Sequence, residues 1–437
     1  MRNPMIDQAA TKLTDGLGRA KSLGASEGKL TFMQSESTLC KFSAGRLKDF
    51  NSSQSIRYDV EVLVDGKLGY ATGNDFDAMD EIIRRAVTLA KVGSRAHFEK
   101  FPTARDVPQV RMHSERTLAL TREQMIDAGQ SIVQKLKNYN SDLFIEASAG
   151  KKETEEVIVT SGGVQHQSCD TGWSLGGMCQ RTLGTDILFA GAQRSWKDLN
   201  EYYDPDYIAD RTLLDLKRGE EPADPIRGKM PAVFPPHTVG MLLHAVSLGV
   251  NGRLVAKGDS PLEGRIGEQL MDERISVIDD PVSDFVNGAR EISDEGIPVQ
   301  RLPIIENGVL RSFLYDLDSA GLAGAEPTGH DGCSPYSLLV PGGEKASDEL
   351  IADIDDGIYV NYLMGFGQGN ILNGDFSCNV GVGYRIKDGK FAGRVKNTMV
   401  AGNVYELLKS NVQLSSDGEP TDRMPYMVVD GLSVISG

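Results

Sequence analysis

Residues Pro236–Pro281 read PHTVGMLLHAVSLGVNGRLVAKGDSPLEGRIGEQLMDERISVIDDP. The first third predicts a buried helix, because Met241, Leu242, His244, Ala245, Leu248 and Gly249 recur at helical spacing. Such a helix holds zinc when two histidines stand about one turn apart and a glutamate follows the first, so that the imidazoles converge on one ion and the carboxylate serves as base. Here His244 is followed by Ala245, where the base would stand, and Leu248 and Gly249 occupy the positions one turn on. None of these three side chains can ligate a metal.

The second part explains why that absence matters. Gly258-Asp259-Ser260-Pro261-Leu262-Glu263-Gly264-Arg265-Ile266-Gly267-Glu268, followed by Ile278-Asp279-Asp280-Pro281, resembles the TldD/PmbA family of bacterial and archaeal proteins. TldD-like members carry a His-Glu-x-x-x-His helix just upstream of this segment and are metallopeptidases; PmbA-like (TldE) members share the fold without the zinc helix and pair with a TldD-like chain. His244–Gly249 departs from the zinc motif at two of its three chemical positions, so the resemblance is to the PmbA/TldE side. TldD-like chains also use a C-terminal cysteine at the metal, and Asp422-Arg423-Met424-Pro425-Tyr426-Met427 has none. Further segments resemble the family in its own order: Tyr58–Ala90, Ile305–Asp316, Asn373–Ser377 leading into Val382–Lys390, and Met399–Asn403.

The resemblance implies a two-domain α+β protein: an N-terminal mixed α/β domain over residues 1–222 and a C-terminal domain rich in antiparallel β-strands over 223–437. It implies a non-catalytic subunit of a TldD/TldE-like metallopeptidase complex that cleaves small or unfolded peptides. On that reading this chain has no catalytic residue, no metal ligand and no zinc site of its own, and zinc belongs to a TldD-type partner. The partner is that chain in a heterodimer, or a second copy in a homodimer. The glycines of Gly258–Gly267 permit a tight chain path against the chamber and the partner. Gly374-Asp375-Phe376-Ser377 has the exposed backbone of a strand edge that takes an extended peptide by strand addition. Ser260, Gly264, Gly374, Asp375, Phe376 and Ser377 are therefore the expected substrate contacts.

Bulk properties restrict the function classes. At 437 residues the chain is long enough for two or three domains. The net charge is −16 and the acid is spread, while Lys and Arg form no basic stripe, which argues against nucleic-acid binding. No run of about 18 apolar residues exists to span a membrane. The start, MRNPMIDQAATKLTDGLGRAK, lacks a signal-peptide core and reads as an amphipathic helix, so a cytoplasmic location is expected. Cys40, Cys169, Cys179, Cys333 and Cys378 are scattered without a Cys-x-x-Cys pair, and read as reduced thiols.

Along the chain, residues 4–24 predict a helix with Met5, Ile6, Ala9, Leu13, Leu17 and Ala20 on one face. Strand signals cover Lys29–Leu47, and Val60–Val64 and Lys67–Thr72 flank the hairpin dipeptide Asp65-Gly66. Asn74 or Asp75 caps the next helix, and Gly93 ends it. Thr121 and Gln124 form a capping box for another. Strands return at Leu143–Ala149, Glu156–Thr160 and Gly172–Gly191. Asp204, Pro205 and Gly219 punctuate a third helix. The proline-rich stretch Glu220–Pro236 marks the boundary, and Arg227–Phe234 reads as the first strand beyond it. Asn307-Gly308, Asp388-Gly389 and Asp430-Gly431 predict hairpins. Ser347–Ile354 and Asn403–Ser410 read as short helices, and Gly365–Gly374 as a flexible or ligand-facing loop.

Other chemistry is weaker. His237 and His244 lie two helical turns apart, about 10 Å, too far for one zinc ion. His330, Asp331 and Cys333 fall within four residues, but glycine-rich turns favour Asp and His for backbone reasons. Asp279 and Asp280 point to opposite faces if on a strand. Gly258–Gly267 lacks the Gly-Lys-Ser/Thr ending of a phosphate loop, and Ser260 has no base nearby in sequence. Two rival classes stay open: an autonomous homodimeric peptidase with a metal site built from His244, His330 or Cys333, and a non-enzymatic binding or regulatory protein.

Overall fold

The computed structural model describes residues 4–436, apart from the side chains of Pro4, Met5 and Asp7, so the expected place of Met5 on the first helix lies outside the described residues. In chain order the first half comprises α1 (Pro4–Ser22), β1 (Glu27–Ser43), β2 (Arg46–Val64), β3 (Lys67–Gly73), α2 (Met79–Ala90), the single turn α3 (Glu115–Leu118), α4 (Arg122–Tyr139), β4 (Phe144–Thr160), β5 (Gln165–Leu183), β6 (Asp186–Trp196) and α5 (Pro205–Arg218). The six strands form one antiparallel sheet in the order β3-β2-β1-β4-β5-β6.

The central strands are long, 17 residues in β1 and β4 and 19 in β2 and β5. At about 3.4 Å per residue they run about 60 Å. Helices cover the two ends of one sheet face. Near one end α1 and α2 pack Leu13 and Ile83 on Leu30, Val60 and Val159. Near the other, α4 and α5 pack Met125, Ile132 and Ile208 on Ala147, Ala149 and Trp173. Ala147, Ala149 and Val159 are all odd positions of β4, so both helix pairs sit on the same side.

Where the sequence predicts separate strands at Leu143–Ala149 and Glu156–Thr160, the chain continues as one strand. Likewise β2 starts at Arg46, well before Val60. The central stretches meet the single turn α3 and not a long helix, and they carry no apolar alternation, yet their backbone is laddered.

The second half comprises β7 (Arg227–Phe234), α6 (Pro236–Gly249), α7 (Gly252–Ala256), β8 (Val277–Asp279), β9 (Leu302–Glu306), β10 (Val309–Leu310), α8 (Leu317–Ala323), β11 (Leu338–Leu339), α9 (Ser347–Ala352), β12 (Asp356–Met364), β13 (Asp375–Lys387), β14 (Lys390–Arg394), β15 (Thr398–Asn403), α10 (Val404–Leu407), β16 (Gln413–Glu419) and β17 (Met424–Ser436). The pairing β12-β7-β17-β15-β13 returns to β12 and closes a barrel, with β14 and β16 as flanking hairpin partners. Among the described strands of the barrel, β7 and β12 alone pair in parallel. Alternate residues face inward: Ala232, Phe234, Ile358, Val360, Phe376 and Val429 pack with Val239, Leu242 and Val246 of α6 in one core. Outward residues Val233, Tyr359, Tyr384 and Val428 form a second core with α9. The architecture is α+β, an N-terminal mixed region followed by a β-rich barrel.

The dipeptides Asp65-Gly66, Asn307-Gly308 and Asp388-Gly389 make the expected hairpins. At Asn307 (φ 48°) and Gly308 (φ 77°) both residues take the left-handed conformation such turns require. Asp430-Gly431 does not turn the chain: it is a bulge within β17, where the register to β7 shifts between Val429 and Leu432. Gly365–Gly374 carries two 3₁₀ turns anchored by buried Phe366 and Ile371. Among the described residues no helix is long and apolar enough to cross a membrane.

Candidate functional site

Pro235 and Pro236 start α6, the proline at the first helical position costing no hydrogen bond. His244 is exposed, while Ala245 and Gly249 are buried. The Ala245 carbonyl accepts a hydrogen bond from the Tyr405 hydroxyl at 3.0 Å. A Cβ on Gly249 would run into that hydroxyl and lie 2.8 Å from Leu262 Cδ1. The place of a second histidine is thus filled by Tyr405 and Leu262. His237 is engaged elsewhere, its Nε2 lying 2.7 Å from the Asn361 carbonyl oxygen. The Asp422–Met427 segment does run beside α6, but what it presents is the Met424 thioether, 3.7 Å from where a Cβ on Gly240 would stand. The α6 residues do not fit a zinc ion.

The predicted substrate contacts divide. Ser260 is buried; its hydroxyl donates to the Gly249 carbonyl at 2.5 Å and accepts from the Leu262 N–H at 3.1 Å, tying the glycine-rich segment to the end of α6. Gly374 lies at the same end, where an added Cβ would meet Tyr405 Cδ2 at 2.7 Å. Phe376 is buried on Phe366 at 5.0 Å between ring centroids, whereas Asp375 and Ser377 are exposed. Asp375 accepts from Asn403 Nδ2 at 2.8 Å. Gly264 faces open space. Along Asp375–Cys378 β13 is laddered to β15 on one side, and β12 pairs with its other side only from Asn379 onward.

The Gly329–Cys333 turn does not gather ligands. His330 is buried, with Nε2 2.9 Å from Asp279 Oδ2 and Nδ1 2.8 Å from the Thr328 hydroxyl, and it stacks on Tyr336. Cys333 Sγ contacts Ser319 Oγ at 3.1 Å. Asp280 turns the other way, to Arg423 at 2.7 Å, and hydrogen bonds from Ser283 and Arg423 hold its carboxyl below the ordinary range against desolvation.

Two polar cavities lie where loops of the second half meet the sheet. One, of about 630 Å³, is bordered by Lys29, Glu61, His97, Arg253, Glu295 and Asp316. The other, of about 200 Å³, is bordered by Glu156, His166, Lys197, Arg290 and Tyr336. Burial pushes Glu295 up to about 8 despite the pull of Lys29. Burial likewise pushes Glu156 up to about 7, with Arg290 opposing. Each cavity thus has a carboxyl that burial makes a weaker acid than usual.

The expectation that this chain carries no metal-ligating set, and no zinc site of its own, is overturned by a different group. His113, Glu153 and Cys169 place an imidazole nitrogen, a carboxylate oxygen and a thiol sulfur all within 4.8 Å of one another. His113 comes from the loop before α3, Glu153 from β4 and Cys169 from β5. The reason no motif announced them is register: β4 and β5 pair Glu153 with Thr171 and Glu155 with Cys169, so residues 16 apart become diagonal neighbours. His113 and Glu153 carried no signal in the sequence, and Cys169 read as an isolated thiol.

A family model described as PmbA/TldA metallopeptidase C-terminal domain matches residues 227–436, and one described as PmbA/TldA metallopeptidase domain 1 matches residues 30–90. The chain is 28% identical over 409 residues to a protein of Methanothermobacter thermautotrophicus named metalloprotease, covering 85% of this chain and 84% of that one. It is 31% identical over 235 residues to a metalloprotease TldD homolog of Buchnera aphidicola, covering 52% of this chain and 48% of the other. The crystal structure of TldE from Thermococcus kodakarensis shares the fold, with a TM-score of 0.86 at 19% identity over 97% of this chain and 100% of that one.

Proposed function

The chain belongs to the PmbA/TldD metallopeptidase family, and from that premise we propose that it is the PmbA/TldE-type subunit of a two-chain complex that cleaves small or unfolded peptides. One observation carries the reading. At the position on α6 where the zinc helix would place a base and a second histidine stand Ala245 and Gly249, and the space at Gly249 is occupied by Tyr405 and Leu262. In this reading a TldD-type partner supplies the cleavage step. This chain shapes the chamber and holds the substrate.

The holding element is the start of β13. Past Asp375, whose N–H donates to the Asn370 carbonyl at 3.2 Å, its backbone up to Cys378 ladders to β15 and not to β12, and exposed Asp375 and Ser377 alternate with buried Phe376 and Cys378. An extended peptide added there gains main-chain hydrogen bonds without close reading of its side chains, which suits unfolded substrates. Hydrogen exchange tests this directly. Adding an unstructured peptide to the complex with a TldD-type chain slows exchange at Asp375–Cys378; unchanged exchange there, or no association of the two chains, removes the proposal.

A further inference from the structure

We propose that His113, Glu153 and Cys169 form a metal site for a zinc-like divalent ion on the six-stranded sheet, separate from α6. Three ligand types meet there, and the nitrogen–oxygen–sulfur combination is the donor set of zinc rather than of magnesium or calcium. The spacing of the carboxylate oxygen from each of the other two atoms suits the ion. With bonds of about 2.0–2.3 Å, ligand atoms of a tetrahedral zinc lie about 3.3–3.8 Å apart. His113 Nε2 is 3.6 Å from Glu153 Oε1, and Cys169 Sγ is 3.6 Å from the same oxygen.

The frame around the three is built independently of any ion. The loop carrying His113 is fixed on both sides of it: the Thr171 N–H donates to the Met112 carbonyl at 3.0 Å, and the Ser114 N–H donates to the Thr171 hydroxyl at 3.0 Å. Thr171 is the residue opposite Glu153 in the β4–β5 ladder, so one threonine sets the loop against the strand that holds the carboxylate. All three ligands are half-buried. The surroundings are acidic, with Glu36 opposite Glu153 in β1 and Glu155 opposite Cys169 in β5. The ion would pin the loop before α3 to the sheet.

Cobalt titration of the full-length isolated chain tests the site. One Co²⁺ per chain with a near-ultraviolet sulfur-to-cobalt absorption is expected. Cys169→Ser abolishes that absorption, His113→Ala and Glu153→Gln weaken binding more than tenfold, and His244→Ala changes nothing; circular dichroism confirms that each variant is folded. Zinc also raises the melting temperature of the wild-type chain but not of Cys169→Ser. Absence of cobalt binding by the wild type, persistence of the sulfur band in Cys169→Ser, or loss of binding in His244→Ala alone overturns the proposal. None of these readouts needs a partner chain or peptide cleavage, so failure here leaves the subunit reading standing.

Discussion

A side chain at Gly249 would collide with the Tyr405 hydroxyl and crowd Leu262, so the residue that a zinc helix needs there cannot be restored by substitution alone. The double variant Ala245→Glu/Gly249→His is expected to gain no zinc at α6. It loses stability by about 1–3 kcal/mol from overpacking, read by chemical denaturation. Stoichiometric zinc that depends on His244 in this variant would contradict the packing argument. Glu295 gives a second residue-level prediction. Its folded value, about 8, stands above the ordinary 4.5, so the folded chain holds a proton that the unfolded chain releases. The stabilisation is complete below about pH 4.5 and is lost as pH rises through about 8, by at most ~1.4 kcal/mol per pH unit for one proton. Glu295→Gln removes this slope, so its melting temperature gains on wild type between about pH 5 and 8; a variant that falls behind wild type at pH 8 means the carboxylate is ionised against Lys29. What residues alone made legible follows local chain order. Ala245 and Gly249 beside His244 were readable because a helix turn is a local object. His113, Glu153 and Cys169 were not, because their meeting depends on strand register and a crossing loop.

Elements were legible wherever their punctuation is chemical. The Thr121 hydroxyl accepts from the Gln124 N–H at 3.2 Å and Gln124 Oε1 accepts from the Thr121 N–H at 2.9 Å, the box that the sequence predicts for α4. Thr121→Ala should cost about 1 kcal/mol, measured as a shift in denaturant midpoint with unchanged slope; a shift near zero means that tertiary packing alone fixes the start of α4. Strand extents were less legible. The central β4 residues Lys151–Glu155 are as strongly laddered as its apolar ends, but what they meet is the single turn α3, through the Lys151 ammonium on the Leu118 carbonyl, and their composition is that of a loop. Asp430-Gly431 shows the opposite error, since a turn dipeptide inside a barrel strand served as a bulge that bends β17.

At the scale of the whole molecule, charged side chains join the sheet to the barrel at β14 and β16, beside small apolar clusters such as Ile158, Val164 and Ile292. Arg394 of β14 is buried and reaches Asp186 at 2.7 Å, the Gly219 carbonyl at 3.1 Å and the Ile187 carbonyl at 3.1 Å. Arg194 of β6 holds Glu419 of β16 at 2.7 Å. Removing Arg394 takes a donor from the buried Gly219 carbonyl and leaves Asp186 to Lys396, so Arg394→Met should destabilise by about 1–2 kcal/mol and lower the melting temperature, seen by calorimetry; melting at the wild-type temperature would mean that the junction does not couple the halves. The order of elements and the barrel's strand-rich character were legible from turns and alternation. Closure was not, because the β7–β12 and β7–β17 pairings join segments far apart in sequence.

The central claim is that the family's cleavage step lies in a partner and not on α6 of this chain. Cleavage of an unstructured reporter peptide, followed with zinc present for this chain alone, for a TldD-type chain alone and for their equimolar mixture, tests it most directly. The account predicts cleavage by the mixture above that of the partner alone and none by this chain alone. Cleavage by this isolated chain would contradict it.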